Sequence, residues 1–221
     1  MSIGLILLII VGLLVAFGVA QRVLDRLRLT DRQALLFVGL LFVGGLIPDI
    51  PITPLLSVNI GGALVPLGLC VYLLVKAGSA KEVVRALLAS VITGVAIHLV
   101  GEWMPSEPEQ IVIDPNYLFG LIGGAVAYLF GRSRRGAFVA GVLGSMIAAF
   151  WDAIEVWNQG VRQALSLGGA GLLDTIVISG LVAVLLAELV GELVERMSRG
   201  ARRDEERVFE EGDFVKRGER K

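Results

Sequence analysis

Residues 166–180 read SLGGAGLLDTIVISG and set three glycines and an aspartate at the mouth of an apolar run. From Thr175 to Arg196 the chain offers about 22 residues, or roughly 33 Å of helix, which is enough to cross the hydrocarbon of a bilayer. Asp174 then falls at the N-cap, where a carboxylate accepts hydrogen bonds from free backbone amides and meets the positive end of the helix dipole. On that reading SLGGAGLL is an interfacial loop or half-helix. A functional alternative stays open, because paired half-helix ends around a polar cavity make ion and substrate sites.

The rest of the chain fits a membrane protein. Of 221 residues, 55% are hydrophobic and 28 are glycine, and the mean hydropathy is +0.78. That is too apolar for an ordinary water-soluble globule. The net charge of −1 hides a sorting, since basic residues are sparse in the middle and dense in the last 26 residues. The single cysteine, Cys70, lies in an apolar run, so it reads as a packing residue with no disulfide framework or CxxC site. No Lys or Arg precedes the apolar stretch at the N-terminus, which therefore reads as a retained first span and not a cleaved signal.

Apolar runs near 3–20, 33–48, 55–75, 82–101, 117–131, 136–157 and 174–196 predict an all-α integral membrane fold with seven transmembrane helices. Alternate connectors carry the cations: Arg22, Arg26, Arg28 and Arg32, then Lys76, Lys81 and Arg85, then Arg132, Arg134 and Arg135. With the tail included, 19 of the 20 Lys and Arg fall on one side and only Arg162 on the other. Basic residues stay cytoplasmic, so the N-terminus is expected outside the cell membrane and the C-terminus inside. Asp49, Glu102, Glu107, Glu109, Asp114, Asp152, Glu155 and Asp174 gather on the outer side. They form either a solvated acidic rim or a vestibule that attracts cations. Two regions follow: a seven-span domain at 1–197 and a charged cytoplasmic tail at 198–221, mobile or a frayed helical extension.

A second glycine-rich stretch, SVNIGGALVPLG at 57–68, echoes the first. Asn59, two adjacent glycines and Pro66 each weaken a helix, so interruptions are predicted near 57–68 and 166–175. At membrane depth such breaks are tolerated only where protein or water satisfies the freed backbone. Three prolines in PDIPITP, at 48–54, predict an ordered turn or re-entrant entry. Sliding the chain by 107 residues lays Gly61, Gly62 and Ala63 on Gly168, Gly169 and Ala170. That suggests a parallel three-plus-one-plus-three repeat with span four as linker, or a chance match of two glycine-rich segments.

Along span six, Gly136, Ala140, Gly144 and Ala148 make a small-residue stripe that must face another helix, and Gly120, Gly123, Gly124, Ala127 and Gly131 of span five offer a matching set. Such faces could also carry a homo-oligomer. Asp152 continues the stripe and so points toward protein, with Trp151 and Trp157 marking the outer interface. Glu188, Glu192 and Glu195 recur at helical spacing. The last two can pair with Arg196 and Arg199, while Glu188 is deep enough for a proton or cation relay. His98 and Glu102 stand four apart and read as an interfacial pair. A metal site would need ligands from Asp49, Asp114 or Asp152, so no metal and no cofactor are expected. The candidate substrate- or ion-binding residues are Asn59, Asp152, Asp174 and Glu188.

At PDIPITP, SVNIGGALVPLG and GGAGLLDT the chain resembles a family of uncharacterised prokaryotic multi-pass membrane proteins known only as a domain of unknown function. The resemblance covers roughly residues 33–196 and implies the architecture alone. Three functions compete. A small permease or channel-like carrier would move a cation or small solute through a site between the interrupted spans. An intramembrane aspartyl protease would use Asp152 and Asp174 as a proton-sharing pair, although two leucines separate the glycines from Asp174, which departs from the GxGD pattern of presenilin-type enzymes. A non-catalytic assembly factor would use the glycine faces and the tail. The balance falls on a non-enzyme whose partners are the bilayer and a small solute, and no nucleic-acid patch or nucleotide loop is present.

Overall fold

A computed structural model describes residues 29–103, 115–131, 133–210 and 213–216, so the expected first span at 3–20 and the acidic connector at 104–114 lie outside it. The chain is mostly helical and divides into two compact units, 1–187 and 188–221.

In the first unit, α1 (Asp31–Gly45) starts on a capping box. The Thr30 hydroxyl accepts from the Gln33 amide, and the Gln33 side chain accepts from the Thr30 amide at 2.9 Å. The helix stops just short of Pro48, and PDIPITP supplies strand β1 (Ile50–Thr53) of a hairpin with β2 (Leu56–Val58). A short π-helix (Ile60–Leu64) then leads into α2 (Val65–Val75), with Pro66 in the first turn, where its missing N–H costs little. Helices α3 (Ala80–Trp103), α4 (Pro115–Gly131) and α5 (Arg134–Asn158) follow. After α5 come β3 (Leu165–Leu167), one turn of 3₁₀-helix (Gly171–Leu173) and α6 (Thr175–Glu206). By length and composition α3 and α5 can each cross a membrane, with hydropathies of 2.1 and 1.8. Shorter apolar helices run at 32–45, 60–75, 118–130 and 175–191.

The element order repeats. A helix, strand structure, a short non-α helix and a second helix occur once as α1 to α2, with the hairpin β1–β2, and again as α5 to α6, with the single strand β3. The two strands that open the broken segments, β2 and β3, pair in parallel, with Leu56, Ser57 and Val58 opposite Leu165, Ser166 and Leu167. An all-α expectation therefore misses a three-stranded sheet of order β1-β2-β3. Its strands are too short for periodicity to reveal, and only the long-range pairing makes them.

Where the ladder ends, the two glycine segments cross backbone to backbone. A Cβ on Gly62 would run into the carbonyl of Gly168, and one on Gly168 would reach Ala63 N at 2.5 Å. Gly168 also takes φ +72°, a left-handed conformation that favours glycine. Gly44 closes on the same point, since its Cβ would come 2.7 Å from Gly61 N.

Packing in this unit is small inside and large outside. The stripe Gly136, Ala140, Gly144 and Ala148 is buried on α5, and a Cβ on Gly144 would meet Thr93 Cβ of α3 at 2.6 Å. The glycines of α4 turn to α6 as well: a Cβ on Gly124 would stand 2.6 Å from Val182 Cγ1, and one on Gly123 2.6 Å from Ser179 Oγ. Those small faces are thus occupied within the chain. Buried hydroxyls return to their own helix, Ser90 to Ala86 O at 2.8 Å and Ser145 to Gly141 O at 2.9 Å. Cys70 is fully buried, as a packing residue should be. Leu36, Leu88, Val91 and Leu129 are among the many large apolar side chains left exposed. That inversion suits lipid, in which close backbone approach and not hydrophobic burial holds helices together.

In the second unit α6 continues to Glu206, and β4 (Arg207–Glu210) pairs antiparallel with β5 (Asp213–Lys216). The expected tail region at 198–221 thus contains the end of α6, in line with the helical extension named as one alternative, followed by a hairpin.

Replacing Gly62 or Gly168 with alanine is expected to cost about 1–3 kcal/mol of stability, read as a lower midpoint of thermal unfolding by circular dichroism in detergent. Gly68→Ala, where a Cβ meets open space, should leave the midpoint unchanged or raise it slightly. Equal midpoints for the Gly62 and Gly68 variants would contradict the crossing.

Candidate functional site

Among the described residues of the first unit, two separate groups of polar side chains contain the candidates named from the sequence. The first is built around Asn59, which is 2% exposed at the break between β2 and the π-helix. Its backbone N–H donates to Leu167 O at 2.9 Å, which extends the parallel ladder by one bond. Its side-chain oxygen accepts from Gly62 N at 2.9 Å and caps the π-helix. The amide nitrogen donates to Ile47 O and to Asp49 Oδ1, both at 3.0 Å. One side chain thereby ties together the end of α1, the hairpin and the broken helix. The other oxygen of Asp49 accepts a short hydrogen bond from the Ser166 hydroxyl, which reaches across from β3.

Asp174 completes this group. Its Oδ1 accepts from Ile176 N at 3.1 Å, as an N-cap should, and its Oδ2 accepts from Ala170 N at 3.4 Å. Asp49 borders the same turn, since a Cβ on Gly169 would stand 3.2 Å from Asp49 Oδ2, next to the Ala170 whose N–H Asp174 accepts. The junction of the two broken helices therefore carries two carboxylates, one from each half of the repeated order.

The second group sits at the C-terminal ends of α3 and α5. His98, nine-tenths buried, places Nδ1 2.5 Å from Asp152 Oδ1. Its ring stacks on Trp151 with centroids 4.9 Å apart and planes inclined by 27°. On the opposite edge, Nε2 faces Glu155 Oε2 at 3.9 Å and Glu102 Oε1 at 4.0 Å. Both glutamates are about half exposed. Their oxygens and the His98 nitrogen all lie within 4.8 Å of one another.

A model of the family described as "Protein of unknown function (DUF1614)" matches residues 26–186. The chain belongs to that family. The match ends within one residue of the first compact unit, so both polar groups lie inside the DUF1614 region. Comparison with curated proteins and with solved structures finds no match.

The candidates named from the sequence fall in different places. Asn59 and Asp174 belong to the junction, Asp152 to the histidine group, and Glu188 opens the second unit. Of the acids weighed as partners for His98, Asp152 arrives, Asp49 is taken up by Asn59 and Ser166, and Asp114 lies outside the described residues. Ser166 and Glu155 were not singled out. Glu155 stands three residues after Asp152, on the same face of α5, and that spacing was the available signal.

Asn59→Ala is expected to cost about 1–3 kcal/mol, because it orphans the buried Gly62 N–H and frees one oxygen of Asp49. Thr53→Ala, which removes only an exposed bond to Leu55 N, should stay within about 0.5 kcal/mol. Chemical denaturation in detergent compares the two, and equal midpoints would deny Asn59 its tying role.

Proposed function

We propose that this DUF1614 protein is a multi-pass plasma-membrane carrier that passes a cation or small polar solute through the junction of its two broken helices. The observation that carries the reading is the crossing at Gly62 and Gly168, with Asn59, Asp49 and Asp174 around it. Interrupted helices whose freed backbone groups and carboxylates face each other are a recurring way to hold a substrate or coupling ion within a membrane protein. The repeated helix–strand–short helix–helix order supports the parallel three-plus-one-plus-three arrangement, and rocking of one group on the other would alternate access.

Sidedness has support too. Arg135 donates to Lys76 O at 3.1 Å and ion-pairs with Glu82 at 3.5 Å, so two basic connectors meet at one end. His98, Glu102, Asp152 and Glu155 gather at the opposite ends of the same helices. On this reading seven spans run with the N-terminus outside, and the acidic junction opens outward.

In proteoliposomes the wild type should move a test cation or small solute above empty vesicles, and Asp49→Asn with Asp174→Asn should cut the rate at least tenfold. Absence of flux across a panel of mono- and divalent cations and small solutes, or full flux in the double variant, would sink the proposal. For topology, in a Cys70→Ser background an impermeant thiol reagent should label Arg162→Cys in intact cells but Lys81→Cys only after permeabilisation. The reverse pattern would overturn the orientation.

A further inference from the structure

We propose that His98, Glu102 and Glu155 form a binding site for a first-row divalent transition-metal cation, with Asp152 as the residue that orients the histidine. This site is separate from the carrier junction and does not rest on it.

Geometry and chemistry agree on the assignment. Asp152 accepts from Nδ1, so a neutral imidazole here carries its proton on Nδ1 and its lone pair on Nε2, and metal-bound histidines are commonly held by a carboxylate in this way. Trp151 fixes the plane of the ring. Nε2 is therefore held in place on a side chain nine-tenths buried, and among the described residues it has no hydrogen bond. It points between two carboxylates at 3.9 and 4.0 Å. Ligand atoms about 2.1 Å from a tetrahedral ion stand roughly 3.4 Å apart. Small rotations of the two half-exposed glutamates would close that difference.

Charge argues the same way. Among the described residues none of the three carboxylates is paired with Lys or Arg. A protonated imidazole leaves two negative charges uncompensated, while a divalent cation beside a neutral imidazole leaves one. One nitrogen and two carboxylate ligands favour manganese, cobalt or zinc over calcium and magnesium, which prefer oxygen alone. Open positions would remain for water, and the half-exposed glutamates leave the ion a path from solvent.

Trp151, stacked on the ligand, reports occupancy. In full-length protein carrying Trp103→Phe and Trp157→Phe, Co²⁺ should quench the remaining fluorescence saturably at one ion per chain. Zn²⁺ should reverse the quenching by competition, and Mg²⁺ and Ca²⁺ should not. His98→Gln should weaken Co²⁺ binding at least tenfold. Glu102→Gln and Glu155→Gln should each do the same, and since both side chains are half exposed and, among the described residues, have neither a hydrogen bond nor a Lys or Arg partner, these variants keep the fold. Asp152→Asn should weaken binding by about 10- to 100-fold. Non-saturable quenching, or unchanged affinity in both glutamate variants, would show a protonated histidine among acids and overturn the proposal. Flux that persists in His98→Gln would leave the carrier reading intact, and metal binding without flux would leave this site intact.

Discussion

The structure depends on a contact between two stretches of main chain. Residues 56–58 and 165–167 pair in parallel, and just beyond the ladder Gly62 and Gly168 meet with no room for a side chain between them. Broken helices in a membrane leave amides and carbonyls unpaired, at a cost of several kcal/mol for each group left without a partner in hydrocarbon. Part of that need is met across the crossing and part by side chains within each broken segment. The Asn59 N–H finds Leu167 O, the Asn59 side chain takes the Gly62 N–H, and Asp174 takes the Ile176 N–H. Larger residues at the crossing would separate the strands and leave these groups without partners.

The helices around this contact follow the same economy of size. Thr93 meets Gly144, Ser179 meets Gly141, and Ile178 and Val182 rest on Gly120 and Gly124. Leucines and valines stand outside. In water this arrangement would waste apolar surface, but in lipid it brings main chains close enough for van der Waals contact and leaves the large side chains to the acyl chains.

The two polar groups do not merge. In the junction group Asn59 and Asp174 bind main-chain groups, while Asp49 is held by the side chains of Asn59 and Ser166. The histidine group differs, with one edge of His98 fixed by Asp152 and Trp151 and the other edge facing two glutamates. Rigidity on one side and open coordination on the other is what separates a ligand site from a capping site.

Much of this was legible in residue order. Asn59, the paired glycines and Pro66 disclosed the break at 57–68, SLGGAGLLDT disclosed the second, and the small-residue stripe on α5 disclosed its buried face, because each signal is local and set by backbone chemistry within a few residues. What stayed hidden was pairing at a distance. Three-residue strands have no periodicity of their own, the glycines of α4 carried no mark that α6 would lie on them, and spacing alone left Asp49, Asp114 and Asp152 as equal candidates beside His98. The sequence determined which segments are apolar, which cannot continue as helix and which faces are small. Only the tertiary structure decided that Asp174 joins Asp49 and Asn59 while Asp152 joins His98, because the distance between side chains on different helices depends on how those helices pack and not on their spacing along the chain.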